Sequence, residues 1–185
     1  MEQETVTPQK HSPKLRPRTY FVRIVIALVV LGLGGWYVLW EWEKSINGEP
    51  NYSQMEERLY VGGHVKEPPA KTDFVLNLSL TIDPYRSRVT YADYPIRDGA
   101  PAPSLAWLKE VIARLEAALS DGKTVYVHCR NGVSRTGMVI VAYYVKKNRW
   151  TVNKALAHVR KKRPIIRPNP AFAELLIQWE KEHRK

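Results

Sequence analysis

One cysteine, Cys129, lies in the run VYVHCRNGVSRTG (Val125 to Gly137), preceded by His128 and followed after five residues by Arg135-Thr136-Gly137. A cysteine attacks as the thiolate, and a helix N-terminus or a cationic neighbour lowers its pKa by several units from ~8.5. Arg135 can hold two oxygens of an oxyanion at once, which a lysine cannot. Thr136 can donate its hydroxyl to the sulfur, and His128 can orient the loop through its ring N–H groups. The amides of Arg130, Asn131, Gly132, Val133, Ser134 and Arg135 can converge on one point, forming a nest for a phosphate dianion. Gly132 and Gly137 permit the tight backbone this requires. The chemistry such a set could perform is in-line attack of sulfur on phosphorus.

These residues need a strand below and a helix above. Val125, Tyr126 and Val127 are β-branched or aromatic, as in a buried strand. From Thr136 to Lys147 the apolar residues Met138, Val141, Ala142 and Val145 share one helical face. The loop thus joins a strand end to a helix start, where the helix dipole favours an anion. The arrangement resembles the signature loop of the cysteine-dependent protein phosphatases, His-Cys-x5-Arg-Ser/Thr. The other reading, a buried inert cysteine and an unrelated surface arginine, explains less of this context.

The leaving oxygen also needs an acid. Asp98 lies 31 residues before Cys129 in Tyr94-Pro95-Ile96-Arg97-Asp98-Gly99-Ala100-Pro101, whose prolines and glycine make it a loop. This stretch resembles the general-acid loop of the small dual-specificity phosphatases, including the regenerating-liver type. The resemblance implies that Asp98 protonates the leaving group and later activates water. Asp98 could instead be a turn residue ahead of Gly99, and Asp93 is the reserve acid.

The rest of the chain supplies a scaffold. Strands are expected at Leu59 to Val61, Phe74 to Leu80 and Val89 to Ile96. A helix is expected from Leu105 to Leu119, with Ser104 as N-cap and Gly122 as terminator. Another starts at Thr151 or Asn153 and ends in the basic run Arg160 to Arg163. That run reads as a solvated helix end, or else as a patch facing phosphate or lipid. A last helix follows Asn169 as N-cap and Pro170 at its first position. Its Phe172, Leu175, Leu176 and Trp179 also resemble the last helix of dual-specificity phosphatases. The fold class expected is α/β, a mostly parallel central sheet flanked by helices, preceded by one N-terminal transmembrane helix.

With 185 residues the chain has room for one domain, expected at 58–185. Residues 1–19 read as a disordered basic tail, 20–42 as a transmembrane anchor and 43–57 as a linker. Ile24 to Trp40 carries no charge, and Trp36, Tyr37, Trp40 and Trp42 suit an interfacial belt. Five basic residues precede or begin the span and five glutamates follow it before residue 58, which puts the N-terminus in the cytoplasm and the domain on the periplasmic or lumenal side. A cleaved signal peptide would share the basic start and apolar core.

Net charge is +11, which favours anionic partners. The expected partners are a phosphorylated protein or phospholipid and, through residues 20–42, the membrane, with no nucleic acid. A lone cysteine excludes an intramolecular disulfide and a zinc-ligand cluster, and neither cofactor nor metal is expected.

The resemblance implies a phosphomonoester hydrolase for phosphotyrosine and/or phosphoserine and phosphothreonine, working through phosphocysteine. Lipid phosphate, a phosphoinositide or phosphatidylglycerol phosphate, is the alternative. The loop interior RNGVS has no lysine, where phosphoinositide phosphatases of the superfamily often carry one. A rhodanese-like sulfurtransferase or an arsenate reductase also uses a cysteine loop, but Thr136 and Asp98 fit these less well.

Overall fold

A computed structural model describes residues 50–184, together with Gly34 and Gly35, which are helical. The chain divides into Met1–Glu49 and Pro50–Lys185. Apart from those two glycines, the tail at 1–19, the anchor at 20–42 and the linker up to residue 49 lie outside the described residues. Among the described residues no helix is long and apolar enough to cross a membrane.

Five strands form one sheet: β1 (Tyr52–Glu56), β2 (Leu59–Gly62), β3 (Phe74–Asn77), β4 (Thr90–Asp93) and β5 (Val125–His128), in the order β1-β2-β5-β3-β4. β1 pairs antiparallel to β2, and every other pairing is parallel. The sheet is therefore mostly parallel, as expected. The sequence reading ends the linker at residue 57, but Tyr52–Glu56 is the edge strand β1, with Met55 buried. Its sequence YSQME has no clean alternation, and pairing with β2 supplies what periodicity does not.

β3 stops at Asn77, short of the predicted Leu80. The Asn77 side chain accepts from the Ser79 amide and hydroxyl, each at 2.8 Å, and donates to Thr81 O. That local competition turns the chain out of the sheet. β4 likewise ends at Asp93, just before Pro95.

Between residues 50 and 184 the chain also forms four α-helices: α1 (Leu105–Ser120), α2 (Arg135–Asn148), α3 (Val152–Lys162) and α4 (Pro170–His183). The side chains of Ser104, Thr151 and Asn169 accept the amides of Trp107, Lys154 and Phe172, so Ser104 and Asn169 cap as predicted and, of Thr151 and Asn153, it is Thr151 that caps. The buried faces of all four helices join one core with Val125 and Val127 of β5. Tyr126, between them, points to the other face and meets Val75 and Tyr85. Both faces of β5 are thus dry, and burying each valine contributes about 1.5–3 kcal/mol. α2 is buried continuously from Arg135 to Val145. Gly62, Asn77 and His128 sit side by side at the carboxyl end of β2, β3 and β5, where a parallel sheet opens its crevice.

Candidate active site

The loop from Cys129 to Ser134 leaves the end of β5 and enters α2. Its carbonyls are claimed from outside. Arg130 O accepts from the His64 amide at 2.9 Å, and Val133 O from the Arg167 amide at 3.1 Å. Gly132 O accepts from Arg163 Nε at 2.8 Å, and Asn131 O from Arg163 Nη2 at 3.4 Å. With the carbonyls turned outward, the amides are left to face inward. One of them is already aimed: Gly132 N donates to Cys129 Sγ at 3.3 Å. Cys129 lies buried at the floor of this bowl.

Gly132 is required there. Its φ is +67°, and a Cβ would lie 2.3 Å from the Gly62 carbonyl carbon. Gly137 is tight for a different reason: a Cβ would press on Ile166 and Pro168.

Arg135 begins α2 and is nearly buried. One of its terminal nitrogens donates to Leu78 O at 3.3 Å and Ile96 O at 3.1 Å. Those carbonyls belong to the segments that follow β3 and β4, so the guanidinium is clamped by the two loops that flank the bowl. Its Nε lies 3.7 Å from Asp98 Oδ2, too far for a hydrogen bond. Arg135 and Asp98 line one cleft with Ser79, Leu80, Ile96 and Arg130. The predicted acid is therefore brought to the predicted nucleophile loop.

Asp98 is exposed and held by a residue that sequence reading treats only as a cap. Asn169 Nδ2 donates to Asp98 Oδ1 at 3.0 Å while Asn169 Oδ1 caps α4. The Asn169 amide in turn donates to Ser134 Oγ, which ties acid, loop and last helix together. Asp93, the reserve acid, stands outside this group. It accepts from Asn77 and pairs with Arg86 at 2.5 Å.

Two sequence expectations change. Thr136 does not aim its proton at sulfur: its hydroxyl donates to Gly62 O at 3.1 Å, because β2 ends against the start of α2. The basic run at the end of α3 is not a solvated or phosphate-facing patch throughout. Arg163 is buried and spans Gly132 O, Asn131 O and Asn51 Oδ1. Lys162 donates to Met55 O, and Arg160 donates to Ile166 O. Burial lowers the Arg163 guanidinium from its ordinary range, while the Tyr126 and Cys129 side chains act to raise it. The pattern that could have revealed it is the four-residue spacing of Ala155, Val159 and Arg163, the last being the C-cap that follows α3.

His128 is fully buried behind the loop, stacked on Tyr126. Its Nε2 lies 2.9 Å from Asp83 Oδ2. Asp83 also lies 2.6 Å from His64 Nδ1 and accepts from the Tyr91 hydroxyl. Burial pushes the Asp83 carboxyl up. The hydrogen bonds of His128 and Tyr91, with the charges of His128 and His64, outweigh it and leave the group below the usual carboxylate range. A depressed carboxyl contributes stability at neutral pH that is lost as pH falls through its folded value. Nothing in the sequence around Asp83 signals this role; it reads as part of a loop.

A thiol under inward amides, a guanidinium clamp and a nearby carboxyl on a mostly parallel sheet define a cysteine-dependent phosphatase fold. The family model "Dual specificity phosphatase, catalytic domain" matches residues 61–182, and the chain belongs to this family. It is a phosphatase domain of the cysteine-dependent protein tyrosine phosphatase superfamily. Protein phosphatase Slingshot homolog 3 of Rattus norvegicus is 37% identical over 111 residues, 60% of this chain and 17% of that protein. The aligned part is thus about a sixth of that relative's length. The crystal structure of human DUSP28 superposes with a TM-score of 0.67 at 26% identity, covering 75% of this chain and 98% of that one. PTPMT1 in complex with PI(5)P has the same fold, with a TM-score of 0.61 at 20% identity over 71% of this chain and 96% of that one.

Proposed function

We propose that the chain hydrolyses phosphomonoesters of protein tyrosine and/or serine and threonine through a phosphocysteine intermediate. The observation that carries this is the tethering of every loop carbonyl from Arg130 to Val133 to the scaffold, which leaves the amides for a phosphoryl group. In this reading the Cys129 thiolate attacks phosphorus in line. Inward amides and the Arg135 guanidinium take the charge on the equatorial oxygens. The P–O bond to the leaving group breaks as Asp98 gives that oxygen its proton. Asp98, now a carboxylate, takes a proton from water, and the water oxygen attacks phosphorus. The S–P bond then breaks, releasing inorganic phosphate and the thiolate. His128 and Asp83 position the loop from behind. Asn169 keeps Asp98 over it. Thr136 fixes the start of α2 on Gly62.

The test is Cys129→Ser. Turnover of an aryl phosphate should fall to background while phosphate still binds. Normal turnover would remove the mechanism.

Phospholipid phosphate is the second reading. Leu80 lines the cleft at 76% exposure, which suits a substrate presented at an apolar interface. PTPMT1, solved with PI(5)P, shares the fold. Comparing rates on a phosphotyrosyl peptide, a phosphoseryl peptide and phosphatidylglycerol phosphate decides between them. We also infer a single-pass anchor at 20–42, with the N-terminus in the cytoplasm and the domain opposite. Protease protection of the domain in sealed membranes checks it. Digestion of the domain from the cytoplasmic side refutes it.

A further inference from the structure

The chain enters the folded domain at the end that carries the active site. Tyr52 of β1 lies opposite Gly62, so Asn51 stands at the carboxyl end of β2. Asn51 O accepts from the Gly63 amide at 2.8 Å, and Asn51 Oδ1 accepts from Arg163 at 2.6 Å. Arg163 in turn holds Gly132 of the nest. The first residues of the domain thus lie at the mouth of the site rather than at the far end of the sheet.

The surface around that mouth is suited to a bilayer. Leu80, Ile82 and Ile165 are exposed by 76%, 77% and 52%. Single exposed aliphatic residues are ordinary on a protein surface. These three stand on either side of one loop. Leu80 lines the cleft with Arg97 and Arg130, and Ile82 follows it by two residues. Across the nest, Ile165 lines a second depression with Val133, Arg160 and Arg167. Asp98 is the only acid among the residues lining either depression.

The geometry points to docking of this end of the domain on an anionic lipid bilayer. Leu80, Ile82 and Ile165 enter the headgroup boundary, and Arg97, Arg130 and Arg167 rest against lipid phosphates. An acidic protein could satisfy the arginines, but the aliphatic residues project without a shared pocket, which suits a fluid headgroup boundary rather than a folded partner. The docking is independent of whether the substrate is protein or lipid. Nor does it rest on the anchor reading.

The test uses the full chain with Cys129→Ser, so that an added cysteine is the sole thiol. A polarity-sensitive fluorophore is placed by Ile82→Cys, by Ile165→Cys or, as a control at the opposite end of β5, by Asp121→Cys. Each is reconstituted with vesicles of phosphatidylcholine alone or mixed with phosphatidylglycerol, containing a lipid quencher near the headgroups. The expected result is a blue shift and loss of most emission at 82 and 165 but not at 121. The effect should be smaller without phosphatidylglycerol and at high salt. Equal emission at all three positions would overturn the proposal. So would a shift at 82 and 165 seen only on adding an acidic polypeptide. Release of the chain by alkaline carbonate would refute the anchor alone, because quenching is read before the wash.

Discussion

The two loops that meet at the site are built in opposite ways. The nucleophile loop, Cys129 to Ser134, is held through its backbone, and its outward carbonyls are tied to His64, Arg163 and Arg167. Its glycine admits no other residue without moving Gly62 and Gly63. In the acid loop the backbone ties, Ile96 N to Leu78 O and Ile96 O to Arg135, end two residues before Asp98, whose carboxyl is held by the Asn169 side chain. The difference suits the two tasks proposed for them. A nest works only if its amides are fixed before phosphate arrives, since reorganising them would consume the stabilisation they supply. An acid that gives a proton to a leaving group and later takes one from water must be reached by both, so it sits at the surface.

Changes in the two loops should therefore separate stability from chemistry. The largest effect is expected for Gly132→Ala, which places a methyl group against the Gly62 backbone at a positive φ. It should cost roughly 3 kcal/mol or more and abolish activity, both visible in denaturant unfolding and aryl phosphate turnover. A folded, stable and active Gly132→Ala would show that the nest is not over-determined.

Next, Asp98→Asn should lower turnover by about 10²–10⁴. The loss should be greatest for alkyl phosphates, whose leaving groups most need a proton. The midpoint of unfolding should hardly change, since Asp98 is half in solvent. Should stability fall along with rate, the acid loop is as structural as the nest and the contrast dissolves.

The smallest effect separates the two duties of Asn169. Asn169→Ser keeps an N-cap acceptor for α4, so stability should stay within about 0.5 kcal/mol. The donor to Asp98 is lost. Turnover of a poor leaving group should fall by about tenfold, an order-of-magnitude expectation for losing a hydrogen bond to a charged group. A change in stability with unaltered turnover of the poor leaving group would leave Asn169 as a cap and nothing more.

Much of this was legible in local sequence. His128, Cys129, Arg135 and the strand-to-helix context around them are one short stretch. The caps Ser104, Thr151 and Asn169 act on amides three residues away. Helical faces repeat every 3.6 residues. Such features are read from a window of a turn or two, because the interaction that creates them is no longer than the window. Asp98 enters the proposal through resemblance and loop chemistry, while its place in one cleft with Arg135 comes from the fold.

Other features were decided by packing between distant segments. The Thr136 hydroxyl goes to Gly62, 74 residues away, because β2 ends where α2 begins. Arg163 reaches back 31 residues to Gly132 and 112 to Asn51, turning an apparently solvated basic end into a support of the nest. Asp83 comes from a loop to stand behind His128. β1 becomes a strand only because β2 offers it an edge. The amino-acid order set which groups could act; where each side chain sends its proton or charge was settled by the partners that the folded sheet and helices bring within about 3 Å, the reach of a hydrogen bond.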